Sequence, residues 1–195
     1  MYPTRLNNIL LEGIEPSYKH FVEPILESCP KITLSEDKDT QIRAFVKKVI
    51  EKKRSEGGQY FSDPTSLAKR YYTGWCGESA VEKYIGKTFV DFSIGDSQTY
   101  YVPDLRSAGY EVGVKTVRKG DFPLLEIPSP SRPTTPQVIV VRSSKSEFHI
   151  CGLATYDVVN DPSNFSVLLV RSRGVLENGL KSAFYRFDKL IPVEL

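Results

Sequence analysis

QTYYVPDLRSAGYEVGVKTV, residues 98–117, contains two β-rich runs on either side of Ser107-Ala108-Gly109. A loop that short between residues 98–106 and 110–117 predicts a hairpin of two adjoining strands. Period-two alternation puts Glu111, Gly113, Lys115 and Val117 on one face of the second run, and Tyr110, Val112, Val114 and Thr116 on the other. Asp104 lies just before the turn, within reach of the Glu111–Lys115 face, and Pro103 interrupts regular pairing beside it. A lysine and a glutamate inside a valine-rich strand are unexpected for simple packing. Burying an unpaired charge is costly, so both are expected to be paired, liganded or at a surface.

Upstream the signals are helical. In residues 35–58, Ile42, Phe45, Val46, Val49 and Ile50 recur at helical spacing. Ser35 or Asp39 suits the N-cap, and Gly57-Gly58 ends the run. Its other face carries Lys47, Lys48, Lys52, Lys53 and Arg54, either a solvated face or a phosphate-facing patch. A second helix is expected over 64–72, with Pro64 in its first turn, and a third over 74–86. Glu78 and Glu82 share one face of the third. Residues 1–34, with Pro3, Pro16, Pro24 and Pro30, suggest short helical pieces.

Downstream, TFVDFSI (88–94), QVIVVRS (137–143) and EFHICGLA (147–154) read as strands, and TYDVVNDPSN (155–164) as the start of a short helix. LEIPSPSRPTTP (125–136) reads as a loop, and SAFYRFDKLIPVEL (182–195) as an edge strand with a closing segment. Helices first, then a largely antiparallel sheet, make the class α/β in the mixed α+β sense.

Composition narrows the function classes. The chain has 195 residues, 40% of them hydrophobic, enough for a packed core. It contains no apolar run of membrane-spanning length, and its first residues lack a secretory pattern, so an intracellular, cytoplasmic, soluble protein is expected. Cys29, Cys76 and Cys151 are widely spaced and accompany only two histidines, which suggests neither a zinc site nor a disulfide framework. A net charge of +2 neither demands nor excludes nucleic acid.

Hydrolysing a phosphodiester requires acidic oxygens to hold a divalent cation, a group that orients water, and positive charge for the developing phosphorane. The 98–117 stretch supplies such a set. PDLRSAGYEVGVKT (103–116) resembles the P-D…(D/E)-x-K signature of restriction-endonuclease-like nucleases. GWCGESAVEKYIG (74–86) is similar to the G-x-x-G-E-x-A helix that precedes the hairpin in phage and bacterial members. QVIVV with FHICGLAT, and FYRFDKLIPVEL, resemble that family's following strands and closing segment.

The resemblance implies a restriction-endonuclease-like mixed sheet core flanked by helices over 74–195, with 1–73 as an N-terminal helical region. It implies a Mg²⁺- or Mn²⁺-dependent deoxyribonuclease. Asp104 would be the central metal-binding carboxylate, Glu78 the helical acid in support, and Lys115 the residue orienting the attacking water. Where the family has Asp or Glu two residues before the lysine, this chain has Gly113. Either Glu111 reaches over the bare glycine into the metal site, or Glu82 compensates, or the protein is an inactive relative that only binds DNA. Lys47, Lys48, Arg118 and Lys119 are the candidate phosphate contacts. Cleavage of both strands would favour a homodimer, though the sequence displays no dimer interface.

Plainer readings stand beside these. Glu78 and Glu82 suit solvated helix carboxylates, Asp104 a turn acceptor, and Lys115 an edge-strand lysine. Arg118 and Lys119 suit loop charges. Tyr72 and Trp75 suit core aromatics, Cys76 and Cys151 core packing, and His149 a structural histidine.

Overall fold

The computed structural model describes residues 22–55, 64–93, 103–121, 124–126, 134–161, 165–166, 182–185 and 189–195. A short helix α1 (Glu23–Leu26) and strand β1 (Lys31–Thr33) precede two long helices, α2 (Glu36–Ser55) and α3 (Pro64–Ile85). Strands β2 (Gly113–Arg118), β3 (Leu124–Glu126), β4 (Gln137–Arg142) and β5 (Glu147–Ala154) follow. Helix α4 (Tyr156–Asn160) and strands β6 (Phe165–Ser166) and β7 (Ser182–Tyr185) come last. The class is mixed α+β, with a four-stranded mixed sheet ordered β1-β5-β4-β2 and flanked by helices. A three-stranded sheet is ordered β3-β7-β6.

The middle of β4, Val138–Val141, is apolar throughout because both faces of its sheet are covered. Val138 and Val140, with Phe148 and Ile150 of β5, pack against Ile42, Val46 and Ile50 of α2 and Cys76, Ala80 and Val81 of α3. Ile139 and Val141 point the other way, into a second cluster with Val22, Leu26, Leu125, Ala154 and Val159. Each such side chain, fully buried, contributes about 1.5–3 kcal/mol.

Helix α2 forms where its periodicity predicts. The Ser35 Oγ accepts from the Lys38 N–H at 3.2 Å, so Ser35 supplies the cap. Glu36, Asp37 and Asp39 in the first turn and Lys52, Lys53 and Arg54 in the last complement the helix dipole. Asp39 is not a cap but a buried anchor. Its carboxylate accepts from Arg43 Nε at 2.9 Å and from the Tyr72 hydroxyl, and Lys145 Nζ lies 3.6 Å away. Arg142 Nη2 reaches the same hydroxyl at 3.2 Å, so α2, α3 and the β4–β5 turn meet at Tyr72. Burial works against the Asp39 charge, but the Tyr72 and Arg43 hydrogen bonds hold its pKa below the ordinary value.

Several expectations need correction. Residues 64–72 and 74–86 form one helix, which runs through Gly74 and Gly77. Gly77 is required by packing, since a Cβ there would lie 1.7 Å from Thr116 Oγ1 of β2. Residues 88–93 are not a strand, because the Phe89 and Val90 N–H groups donate to the Glu82 carboxylate at 2.9 and 3.0 Å.

Nor do residues 103–112 form a hairpin arm. They fold into a compact turn containing a 3₁₀ segment, Arg106–Ala108, closed by Leu105 N–H to Val112 C=O at 3.0 Å. Strand β2 begins only at Gly113 and pairs in parallel with β4, from Gly113 opposite Gln137 to Arg118 opposite Arg142. The expected arm at 98–102 and the ends of other predicted segments at 94, 57–58 and 127–133 lie outside the described residues, as do 1–21. Leu125 and Glu126 belong to β3 rather than a loop, and β7 sits between β3 and β6 rather than at an edge. Strand β1, antiparallel to β5, was not foreseen in the proline-punctuated start.

Gly77→Ala is expected to destabilise the protein by about 1–3 kcal/mol through overpacking. Gly74→Ala, whose nearest atom would be Glu78 Oε1 at 3.8 Å, is expected to be neutral or stabilising by up to about 1 kcal/mol. Thermal denaturation of the two variants separates these outcomes; equal Tm values would contradict the close approach.

Candidate active site

Glu78 follows Gly77 on α3 and is half-buried, with its Oε1 3.8 Å from where a Cβ on Gly74 would stand. Asp104 approaches from the 103–112 turn. Its Oδ2 accepts from the Val114 N–H at 2.6 Å, on the side of β2 away from β4. The two carboxyls interact electrostatically. Burial, then the charge of Asp104, then that of Glu82, push the Glu78 pKa up to about 8 from an ordinary 4.5. Asp104 is also raised, by burial of its carboxyl, against the lowering effect of the Val114 N–H and its own N–H.

Glu82, one turn further on, behaves differently. Its Oε1 accepts the Phe89 and Val90 N–H groups, and its Oε2 lies 3.3 Å from Lys38 Nζ. It is neither a solvated carboxylate nor a spare acid; it anchors the chain leaving α3.

Lys115 is half-buried on β2 and comes directly after the residue that Asp104 grips. By alternation it leaves the face opposite Thr116, on the side where Val117 packs into the second cluster. Glu111 lies outside the carboxyl pair. It is exposed and forms an ion pair with Arg106 Nε at 3.0 Å. The space over Gly113 is not bare either, since a Cβ there would meet the Gln137 side-chain amide at 2.6–2.7 Å. That amide donates to Thr135 O at 3.2 Å and to its hydroxyl at 3.1 Å. Gln137 was invisible as a site neighbour because its proximity to Gly113 arises from a parallel register across 24 residues of chain.

Lys47 and Lys48 are exposed on α2, with Lys47 3.9 Å from Glu51. Arg118 pairs with Asp121 at 3.1 Å and Lys119 with Glu23 at 3.3 Å, both in exposed positions. His149 is buried, with Nδ1 2.8 Å from Leu26 O, as a structural histidine would be. Among the described residues no three His, Cys, Asp or Glu side chains converge as a metal cluster. Glu78 and Asp104 are therefore the acids brought together. Two carboxylates with retained waters suit a hard divalent cation such as Mg²⁺. Among the described residues no helix is long and apolar enough to cross a membrane.

No protein-family model matches the sequence, and neither a curated protein nor a solved structure matches the chain.

The raised Glu78 pKa has a consequence for stability. Between about pH 4.5 and pH 8 the folded chain holds a proton on Glu78 that the unfolded chain has released. Stability from this group is thus complete below pH 4.5 and is lost as pH rises toward 8. In chelator, Glu78→Gln is expected to match wild type near pH 4.5 and to exceed its Tm at pH 8. Parallel Tm–pH curves for the two proteins would contradict the assignment.

Proposed function

We propose that the chain is a metal-dependent DNA nuclease of the PD-(D/E)xK type, hydrolysing phosphodiester bonds with Mg²⁺ or Mn²⁺. One observation carries the reading: Glu78, half-buried on a helix, and Asp104, more exposed on a distant turn, carry interacting carboxyls with raised pKa at the outer side of β2. Such a pair is unfavourable without a cation and favourable with one. Glu78 and Asp104 would hold the divalent cation, which supplies charge stabilisation at the phosphate when bound. The Val114 N–H fixes Asp104, leaving its other carboxylate oxygen for the cation. Lys115 leaves the face of β2 opposite Thr116, so its long stem would have to curl round the strand's outer edge to orient the attacking water and offset the developing negative charge. Arg118, Lys119, Lys47 and Lys48 are the proposed phosphate contacts. Their exposed ion pairs contribute about 0–1 kcal/mol each, so phosphates can replace those partners.

A second reading is favoured by a specific observation. The Gln137 amide covers Gly113 and Glu111 is paired with Arg106, as suits an inactive relative that binds DNA without cleaving it. The readings differ in their response to metal.

Duplex DNA incubated with the protein and Mn²⁺ is expected to be cleaved, and chelator should stop the reaction. Lys115→Ala and Asp104→Ala should each reduce the rate about 10²-fold or more with unchanged circular dichroism. Full activity in Lys115→Ala would refute the nuclease reading. Salt-sensitive DNA binding with no Mn²⁺ uptake by wild type would select the inactive relative.

A further inference from the structure

The antiparallel pairing of β1 with β5 places Lys31 opposite His149, Ile32 opposite Phe148 and Thr33 opposite Glu147. The same register continues past the strand, because the Ile150 N–H donates to Pro30 O at 3.0 Å. One step further it sets Cys29 opposite Cys151. The Leu34 N–H donates to Ser146 O and the Ile150 N–H to Pro30 O, so even-numbered residues of the first strand occupy the hydrogen-bonded positions. Cys29 and Cys151 therefore occupy a non-hydrogen-bonded position, where opposed Cα atoms lie about 4.5 Å apart in regular sheet. That falls at the short end of the roughly 4.4–6.8 Å a disulfide spans.

The side chains follow the backbone. The two thiols are in hydrogen-bonding contact, and both cysteines are free. Both lie on the sheet face covered by α1. Cys151 packs against the cluster of Val22, Leu26, Ile139 and Val141, and the Cys29 Sγ donates to Ile25 O at 3.2 Å. Cys76 is elsewhere, buried in the first cluster.

We infer that Cys29 and Cys151 form a reversible dithiol–disulfide site, whose oxidation by a low-molecular-weight disulfide staples the α1 segment to β5. The inference stands independently of the nuclease reading. Contact with Cys151 holds the Cys29 thiol below its ordinary value, whereas contact with Cys29 and burial push Cys151 up. Cys29 is thus the first nucleophile. Its thiolate attacks one sulfur of the small disulfide, expelling one thiolate and leaving a mixed disulfide on Cys29. Cys151 then gives up its proton and attacks the Cys29 sulfur, expelling the second thiolate. The two cysteines lose two electrons and two protons together, and the oxidant is reduced to two thiols. Cys29 is buried, so the reagent reaches its sulfur through the opening at Cys151, which is partly exposed in the bulge where β5 slips register against β4.

The test uses the full chain under native conditions. It is incubated with oxidised glutathione, quenched by alkylation and mapped without reduction by mass spectrometry. The expected product is a Cys29–Cys151 bridged peptide, with Cys76 alkylated only after denaturation. The Tm should rise by about 5–10 °C and return with dithiothreitol. Cys151→Ser should retain glutathione on Cys29 and show no such rise. Persistence of both thiols, a bridge to Cys76, or a stable mixed disulfide in wild type would overturn the inference. The wild-type map decides even where a cysteine variant folds poorly.

Discussion

The contact between Gly77 and Thr116 governs this molecule. It lets α3 lie on β2 more closely than any side chain would permit. From that approach follow the burial of Cys76, Ala80 and Val81 against the sheet and the arrangement of α2 around α3. Glu78, the next residue, projects about 100° further round the helix, with its Oε1 3.8 Å from where a Gly74 Cβ would stand. A helix held further off would loosen this packing.

Glu78 and Glu82 make an instructive pair, since both sit on α3 one turn apart. Glu82 accepts two backbone N–H groups and faces Lys38, so its charge is compensated within the protein. Glu78 faces Asp104 instead, and its pKa rises to about 8. Two carboxyls brought together against burial and mutual repulsion gain nothing for the fold by themselves. Their proximity separates a carboxylate that builds the structure from one that strains it, a pattern that clusters at functional sites.

Local patterns were legible in the sequence and long-range partners were not. The α2 stripe from Ile42 to Ile50, the apolar β4 run, β5, and the Thr155-capped helix α4 each declare themselves within a few residues. The acids Glu78 and Asp104 were recognisable because their residue types and order carry the resemblance. The hairpin failed because β2 finds its partner in parallel at β4, beyond a proline-rich segment, while Pro103–Val112 closes on itself. The strand expected at 88–94 failed over 88–93 because Glu82 takes the N–H groups a neighbouring strand would have used. Cys29 and Cys151 read as unrelated because only a register across more than a hundred residues of chain places them opposite each other.

Gly113 is where sequence logic and structure meet most sharply. Read alone, a glycine before the lysine leaves an open path for Glu111. In the fold that path is filled by the Gln137 amide, itself tied back to Thr135. Reaching Asp104 by this route would require Glu111 to leave Arg106 and Gln137 to turn aside. The first step costs little, because an ion pair 60% and 64% exposed contributes about 0–1 kcal/mol. The second breaks hydrogen bonds to Thr135 worth about 0.5–1.5 kcal/mol each. Neither barrier is large, each being no more than an exposed ion pair or one or two hydrogen bonds. The obstacle to a third acid is therefore one of side-chain arrangement and not one of backbone geometry.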